Sequence, residues 1–293
     1  MTIKQIEQAL EEGQSLKQIA QAYSEIANLK IKRIRGEVER NRIFFQEISG
    51  VYALIKKLAV KKKINIVKPK KLISLVLTSN YRFYGNINSD LLDFFVASTK
   101  NLPTDRIMLG KAAIEYFRAS KTLSHLGNLK EVLLKTDEPD GAELTNLVNL
   151  IKDYNQVLVF YSSMKSLLVQ IPRVSDITAT HTPSRSQSPP GRWPNGLLPG
   201  EQSADFKFIF EPDLAKILAF FDSQIITLLL EGTFLESELS RTASRFISMD
   251  QAETEANKYI KEYEKLKAYT KRNMDNNTIL ENFASMAALR KES

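Results

Sequence analysis

The sequence predicts an α/β domain inserted between two long terminal helices that pair as an antiparallel two-helix coiled coil. Three observations predict it. Residues 3–58 carry a narrow apolar stripe with no proline. Residues 212–289 carry another, with proline only at the start and one glycine, Gly232. Between them, β-type runs alternate with short helical patterns, the signature of a layered α/β fold with a largely parallel sheet.

In the first segment the stripe runs through Ile3, Ile6, Leu10, Leu16, Ile19, Tyr23, Ile26, Ile34, Val38, Phe44, Ile48, Val51, Ile55 and Leu58. The steps are mostly three or four, or sums of the two, so these residues share one side of a helix. At 1.5 Å per residue the helix is roughly 84 Å long, which exceeds any compact domain. A long helix with a thin apolar seam requires a partner helix. The last segment supplies it, with a seam through Ile217, Phe221, Ile225, Leu228, Leu235, Leu239, Phe246, Met249, Ala252, Ala256, Tyr259, Tyr263 and Leu266. Pro212 suits its first turn. With the first helix ending near Leu58 and the second starting near Glu211, facing positions sum to about 269 by equal rise. Ile19 is then expected beside Met249 or Asp250, and Tyr23 beside Arg245. The residues beyond about Tyr269 are left without a neighbour.

The domain boundaries follow: a helix over 1–60, an inserted α/β domain over 68–178, a loop and final edge segment over 179–209, and a helix over 210–293. Strands are expected at Lys71–Thr78, Asn155–Tyr161 and Met164–Ile171, with a weaker one at Asp105–Leu109. Helices are expected at Ser89–Ser98, Lys111–Arg118 and Gly141–Tyr154. Five of the ten prolines fall in 179–204 together with Trp193, which reads as a loop.

Composition narrows the chemistry. The 293 residues include 43% hydrophobic and 26% charged side chains, enough for a real core, and a net charge of +7 suits acidic partners. With no cysteine, disulfides and thiol chemistry are excluded, and a metal has few ligands beyond His125, His181 and carboxylates. The two histidines lie far apart, without a serine elbow or metal-ligand spacing. The turn Ser79–Ser89 after the first strand has a single glycine and bulky Phe83 and Tyr84, so it lacks both phosphate-binding fingerprints. Asp137-Glu138-Pro139-Asp140 before Gly141 reads as a turn and helix cap. No catalytic, cofactor or metal residue is assigned. The lysine run from Lys56 to Lys71 has no interleaved aromatics and reads as a solvated helix end and linker; nucleic acid is not expected. Lys30, Lys32, Arg33 and Arg35 form a basic band on the first helix. No apolar run approaches the ~18 residues of a membrane span, and no signal segment opens the chain; a cytoplasmic protein is the simplest reading.

The order helix, α/β insert, returning helix resembles the gamma subunit of rotary ATP synthases. Phe210-Glu-Pro-Asp213 is similar to that family's Tyr-Glu-Pro-Asp before its last helix. Ser240, Arg245, Phe246, Met249 and Ala252 fall on its Ser-Glu-x-x-x-Arg-Met-x-Ala-Met-x-x-Ala pattern. Ile3, Ile6, Gln18, Ile19, Ala22, Ile26, Ala27 and Lys30 match its opening helix, Tyr84–Asn88 its Cys-Gly-Gly-Leu-Asn, and Gln170–Pro172 has a counterpart. Arg241 replaces the family's glutamate, Glu255 its asparagine and Tyr23 its methionine.

The resemblance implies a Rossmann-like insert and a non-catalytic central stalk without cofactors. It implies a rotor turning inside a ring of alpha and beta subunits, coupling ion flow through a membrane c-ring to conformational change, with an epsilon subunit as companion. It also implies a peripheral position on the cytoplasmic face of a bacterial membrane, with no insertion into it. Contacts to the catalytic ring fall on Lys30, Lys32, Arg33, Arg35, Lys271 and Arg272. Pairing of the helices falls on Ile19, Tyr23, Ile26, Arg245, Phe246 and Met249. Contacts to the rotor ring fall on Phe210, Glu211 and Asp213. The alternative is a coiled-coil scaffold or tether with an α/β binding domain and no rotary role.

Overall fold

A computed structural model describes residues 2–61, 70–119, 129–178 and 213–292. The chain order is α1 (Ile3–Lys61), β1 (Lys70–Leu77), α2 (Ile87–Thr99), β2 (Asp105–Leu109), α3 (Lys111–Ala119), β3 (Leu129–Val132), α4 (Gly141–Ile151), β4 (Tyr154–Ser166), β5 (Val169–Asp176) and α5 (Leu214–Glu292). The described residues fall into two compact units, Met1–Leu29 with Arg245–Ser293, and Lys30–Ser244. His125, His181, Trp193, Phe210, Glu211 and the 179–209 loop lie outside the described residues.

The larger unit is built on a five-stranded sheet of order β3-β2-β1-β4-β5, parallel except for β5. Alternation along the strands sorts its two faces. Ile73, Leu75, Leu77, Ile107, Leu109, Val157, Val159 and Tyr161 point to one side, where Leu147, Val148 and Ile151 of α4 and Ile226, Leu230 and Phe234 of α5 cover them. Val76, Met108 and Phe160 point to the other, against α2 and α3. There Phe95 is fully buried and meets Phe160 edge-on at 5.1 Å. The layering is therefore helix, sheet, helix, with the return helix serving as part of one layer.

Two strand expectations are corrected. β4 is one strand of 13 residues, and the turn to β5 comes at Leu167 and Leu168, inside the expected Met164–Ile171 strand. The polar stretch Ser162-Ser163 resembles a break in sequence, yet both serines are buried. β3, Leu-Lys-Glu-Val, was not expected; it is short and half polar because it is an edge strand. The carboxylate cluster is indeed a cap: Asp140 accepts from the Glu143 backbone N–H at 2.7 Å, and Glu143 accepts in return from the Asp140 N–H.

In the smaller unit α1 and α5 pair antiparallel. Glu7 bonds Lys267 at 2.8 Å and Gln21 bonds Glu253 at 2.7 Å, and both pairs sum to 274. The expected 269 is thus corrected by more than one helical turn. The equal-rise reasoning holds, but α1 runs on to Lys61 and α5 begins at Leu214, so its endpoints were wrong. From Met249 onward the covered positions of α5 are Met249, Glu253, Ala256, Ile260, Tyr263, Lys267 and Thr270, alternate steps of four and three. Those of α1 include Ile6, Gly13, Ala20 and Ala27, spaced by sevens. Both follow the 3.5-residue repeat of a coiled coil. The same spacing continues in the larger unit through Ile34, Asn41, Ile48 and Ile55.

Small side chains bring the two helices close. A Cβ on Gly13 would stand 3.0 Å from the Tyr259 ring. Ile19, Tyr23 and Ile26, expected in the seam, are instead 53%, 42% and 57% exposed on its flank. Their neighbours Ala20 and Ala27 take the seam positions, because the heptad selects by spacing and not by side-chain size. Met249 is buried, while Arg245 and Phe246 are partly covered. From residue 271 to 286 every side chain of α5 is exposed.

Candidate functional site: the buried charges of the returning helix

A helix on a protein surface normally buries one stripe. The stretch Ser237-Glu-Leu-Ser-Arg-Thr-Ala-Ser244 buries every residue. It contains the largest fully buried side chain in the described chain, Arg241 at 1% exposure, and Glu238 at 1%. Both belong to the larger unit, as do all of their partners named below.

The Glu238 carboxylate accepts from Arg241 at 2.9 Å through Oε2 and from Lys30 of α1 at 2.5 Å through Oε1. Arg241 also donates to Ser237 Oγ at 3.0 Å and to the Asp137 carbonyl at 3.3 Å. Lys30 reaches Glu138 as well, at 3.2 Å. Burial pushes the Glu238 carboxyl up, but Arg241 and then Lys30 outweigh it and hold the group below the usual carboxylate range. Burial likewise works against charge on Lys30, and Glu238 with Glu138 overcomes it, leaving the ammonium raised.

The loop that meets these cations is itself tied to the sheet. Asp137 accepts from the Asn80 backbone N–H at 2.5 Å and from Tyr84 O–H at 2.7 Å. Asn80 in turn donates to the Leu134 and Thr136 carbonyls, both at 2.9 Å. Ser244 donates to the Tyr84 carbonyl at 2.7 Å. A continuous polar chain therefore links α1, α5, the 134–140 loop and the turn after β1. Phe83 in that turn adopts φ +68, a conformation rare outside glycine, asparagine and aspartate. The buried Tyr84 beside it is held at both ends by the bonds just named.

This chain occupies a defined place in the fold. Strand order reverses at β1, whose neighbours are β2 and β4. In doubly wound sheets the crevice at such a switch point, past the strand carboxyl ends, is where ligands bind. Here Ser162, beyond the β1 pairing on β4, lies 3.5 Å from Ser237 of α5. Ser237 thus places α5 beside the end of β4 at that switch point.

The basic band divides into two groups. Lys30 is turned inward, and Arg33 pairs with Glu37 at 3.3 Å and Glu138 at 3.8 Å. Lys32, Arg33 and Arg35 are exposed, as are Lys271 and Arg272 on α5. Asp213, the described member of the expected rotor-ring contacts, is exposed where α5 begins. The signal that sequence reasoning missed is the Glu238–Arg241 spacing, which on a helix is an ordinary surface pair; only the sheet makes it buried.

Comparison with known proteins gives a consistent result. A family model described as ATP synthase matches residues 2–289. The ATP synthase gamma chain of Bacteroides fragilis is 22% identical over 291 residues, covering 96% of this chain and 97% of that one. The ATP synthase gamma chain of Desulforudis audaxviator is 20% identical over 253 residues, covering 84% and 85%. Among solved structures, a chain of the Tetrahymena thermophila mitochondrial ATP synthase central stalk and c-ring superposes with a TM-score of 0.54 at 17% identity, covering 80% of this chain and 99% of that one. A chain of the Euglena gracilis mitochondrial ATP synthase rotor does so with 0.55 at 13% identity, covering 93% and 99%. At these identities the structures speak for the fold.

Proposed function

The chain belongs to the ATP synthase gamma-chain family, the non-catalytic central-stalk subunit of F1, and from that premise we propose that it is the rotating shaft of the complex. The alpha and beta subunits enclose the paired helices, and the sheet domain stands on the membrane c-ring with the epsilon subunit beside it. Ion flow turns the sheet domain, and the shaft's uneven surface then drives each catalytic subunit through successive conformations. The site is the cytoplasmic face of a bacterial membrane. Among the described residues no helix is long and apolar enough to cross it.

One observation carries this reading: the charged chain from Lys30 through Glu238 and Arg241 to the Asp137 loop. A shaft transmits torque only if its driven part cannot slip on it. A buried ion pair with its hydrogen bonds satisfied resists slipping, because separating the charges leaves them uncompensated at low dielectric. The seam adds stiffness by pairing two helices that would each be flexible alone.

Lys32, Arg33, Arg35, Lys271 and Arg272 are proposed as the outward contacts to the catalytic ring, and Lys30 is reassigned to holding the 134–140 loop. Phe210, Glu211 and Asp213 remain proposed rotor-ring contacts. The test is reconstitution of this chain with the alpha and beta subunits of its own complex. Assembly of one copy of the chain inside the ring, with ATP hydrolysis faster than that of the ring alone, supports the shaft; exclusion of the chain from the ring refutes it.

A further inference from the structure

The 134–140 loop lays one carboxylate across the basic band of α1. Glu138 meets Lys30 Nζ through Oε1 at 3.2 Å and Arg33 Nη2 through Oε2 at 3.8 Å, so a single side chain spans two cations. Its backbone is held on both sides. Before it, the buried Asp137 accepts from the Asn80 N–H and the Tyr84 O–H. After it comes Pro139, which disfavours helical backbone at Glu138, and then the Asp140 cap. Thr136 Oγ1 donates to the Glu138 carbonyl at 2.5 Å. The half of this bridge on Lys30 holds the loop to α1. The half on Arg33 does little for the fold, because Arg33 already meets Glu37 at 3.3 Å. With side chains 64% and 38% exposed, the Arg33–Glu138 pair is also largely screened by water. What it changes is the surface charge, since it offsets one of the three exposed cations Lys32, Arg33 and Arg35.

We propose that Glu138 is a built-in competitor: it occupies on Arg33 the seat that a carboxylate of an acidic partner segment takes, and it is displaced when that segment binds. The inference rests on the reading of Lys32, Arg33 and Arg35 as outward contacts to the catalytic ring, and adds how firmly they hold. An arginine presents a planar fork that one carboxylate fills with two parallel bonds. Here the fork is split between two carboxylates of the same chain, Nε toward Glu37 and Nη2 toward Glu138. A partner carboxylate reaches the whole fork only by displacing them. Glu37 stands one turn along the same helix and moves with Arg33, whereas Glu138 is tied to the sheet and is left behind when Arg33 turns outward. The displaced Glu138 still has Lys30 and water, so the exchange is nearly balanced and the contact makes and breaks readily. A shaft turning inside a ring requires such contacts, because a segment that gripped Arg33 at one angle would hold the rotor there.

The test is competitive assembly. Full-length wild type and Glu138→Gln, one of them isotope-labelled, are mixed in equal amounts with a limiting quantity of the alpha and beta subunits of their own complex at low salt. Mass spectrometry of the assembled complex then gives the ratio of the two chains. Glu138→Gln is expected in about two- to fivefold excess, falling to parity at high salt. Glu138→Asp, which keeps the charge but draws it back from Arg33, is expected between the two. Glu115→Gln removes the same charge from an exposed pair with Lys111 on α3 and is expected at parity. Arg33→Gln is expected to fall behind wild type, and adding Glu138→Gln to it is expected to bring no gain. Parity or deficit for both Glu138 variants while Arg33→Gln falls behind overturns the competitor and leaves the ring contact standing. Arg33→Gln at parity with wild type removes the ring contact and the competitor with it. An equal excess for Glu115→Gln reduces the effect to net charge and also overturns the proposal.

Discussion

Replacing Glu238 with Gln removes one charge from the buried chain and almost no volume. Arg241, at 1% exposure, then faces a neutral amide in place of its carboxylate and keeps the Ser237 hydroxyl and the Asp137 carbonyl beside it. Lys30 retains Glu138 and a third of its side-chain surface in water, so most of the penalty falls on Arg241. Orphaning a buried charge costs about 3–5 kcal/mol, and the two remaining acceptors favour the lower end. At 2–4 °C per kcal/mol for a domain of this size, thermal unfolding followed by circular dichroism is expected to shift down by roughly 6–12 °C.

The pH dependence has a definite sign. Glu238 is depressed in the folded state, so its contribution is present above the ordinary carboxylate value and is lost as pH falls through the lower folded one. The gap between wild type and Glu238→Gln should therefore close on acidification below the ordinary carboxylate range. Adding Arg241→Met to Glu238→Gln removes the orphan and should recover most of the loss, since apolar replacement of a buried pair is often neutral. A shift under about 2 °C, or a double variant no better than the single, would refute the claim that these charges clamp the helix to the sheet.

Because the chain has no cysteine, register can be read by cross-linking: Gln21→Cys with Glu253→Cys should form a disulfide readily on oxidation, and Ile19→Cys with Met249→Cys should not. Gly110 stands at φ +95 with a built Cβ 2.4 Å from the Thr78 carbonyl, so Gly110→Ala should lower stability by about 1–3 kcal/mol in denaturant titration; an unchanged midpoint contradicts the turn. Reversing Lys32 and Arg35 to Glu should leave melting unchanged and slow ATP hydrolysis by the assembled complex in low salt, whereas Lys30→Glu should destabilise the isolated chain by facing Glu238. If Lys30→Glu melts like wild type, its inward assignment falls.

The fold class was legible because its signals are local. Val76 and Leu77 sit in a run that can only be a buried strand, and unbroken stripes over 3–58 and 212–289 can only be long helices. The seam was legible in principle and misread in fact. Attention to bulky residues selected Ile19, Tyr23 and Ile26, while the strict sevenfold series passes through Gly13, Ala20 and Ala27, whose small size permits close approach. Lys30 illustrates the other kind of limit. Nothing near it in sequence distinguishes it from Lys32; its inward turn is decided by Glu238, more than two hundred positions away. Arg241 is the same case, since its burial depends on the Asp137 loop and on a sheet whose order no single segment encodes.

The central claim is that the chain is a shaft turned by the catalytic ring. It is tested most directly by fixing the ring to a surface and attaching a bead to the sheet domain at Lys130→Cys, an exposed position on β3. With ATP supplied, the bead is expected to rotate in one direction. Sustained ATP hydrolysis with a stationary bead would contradict the account.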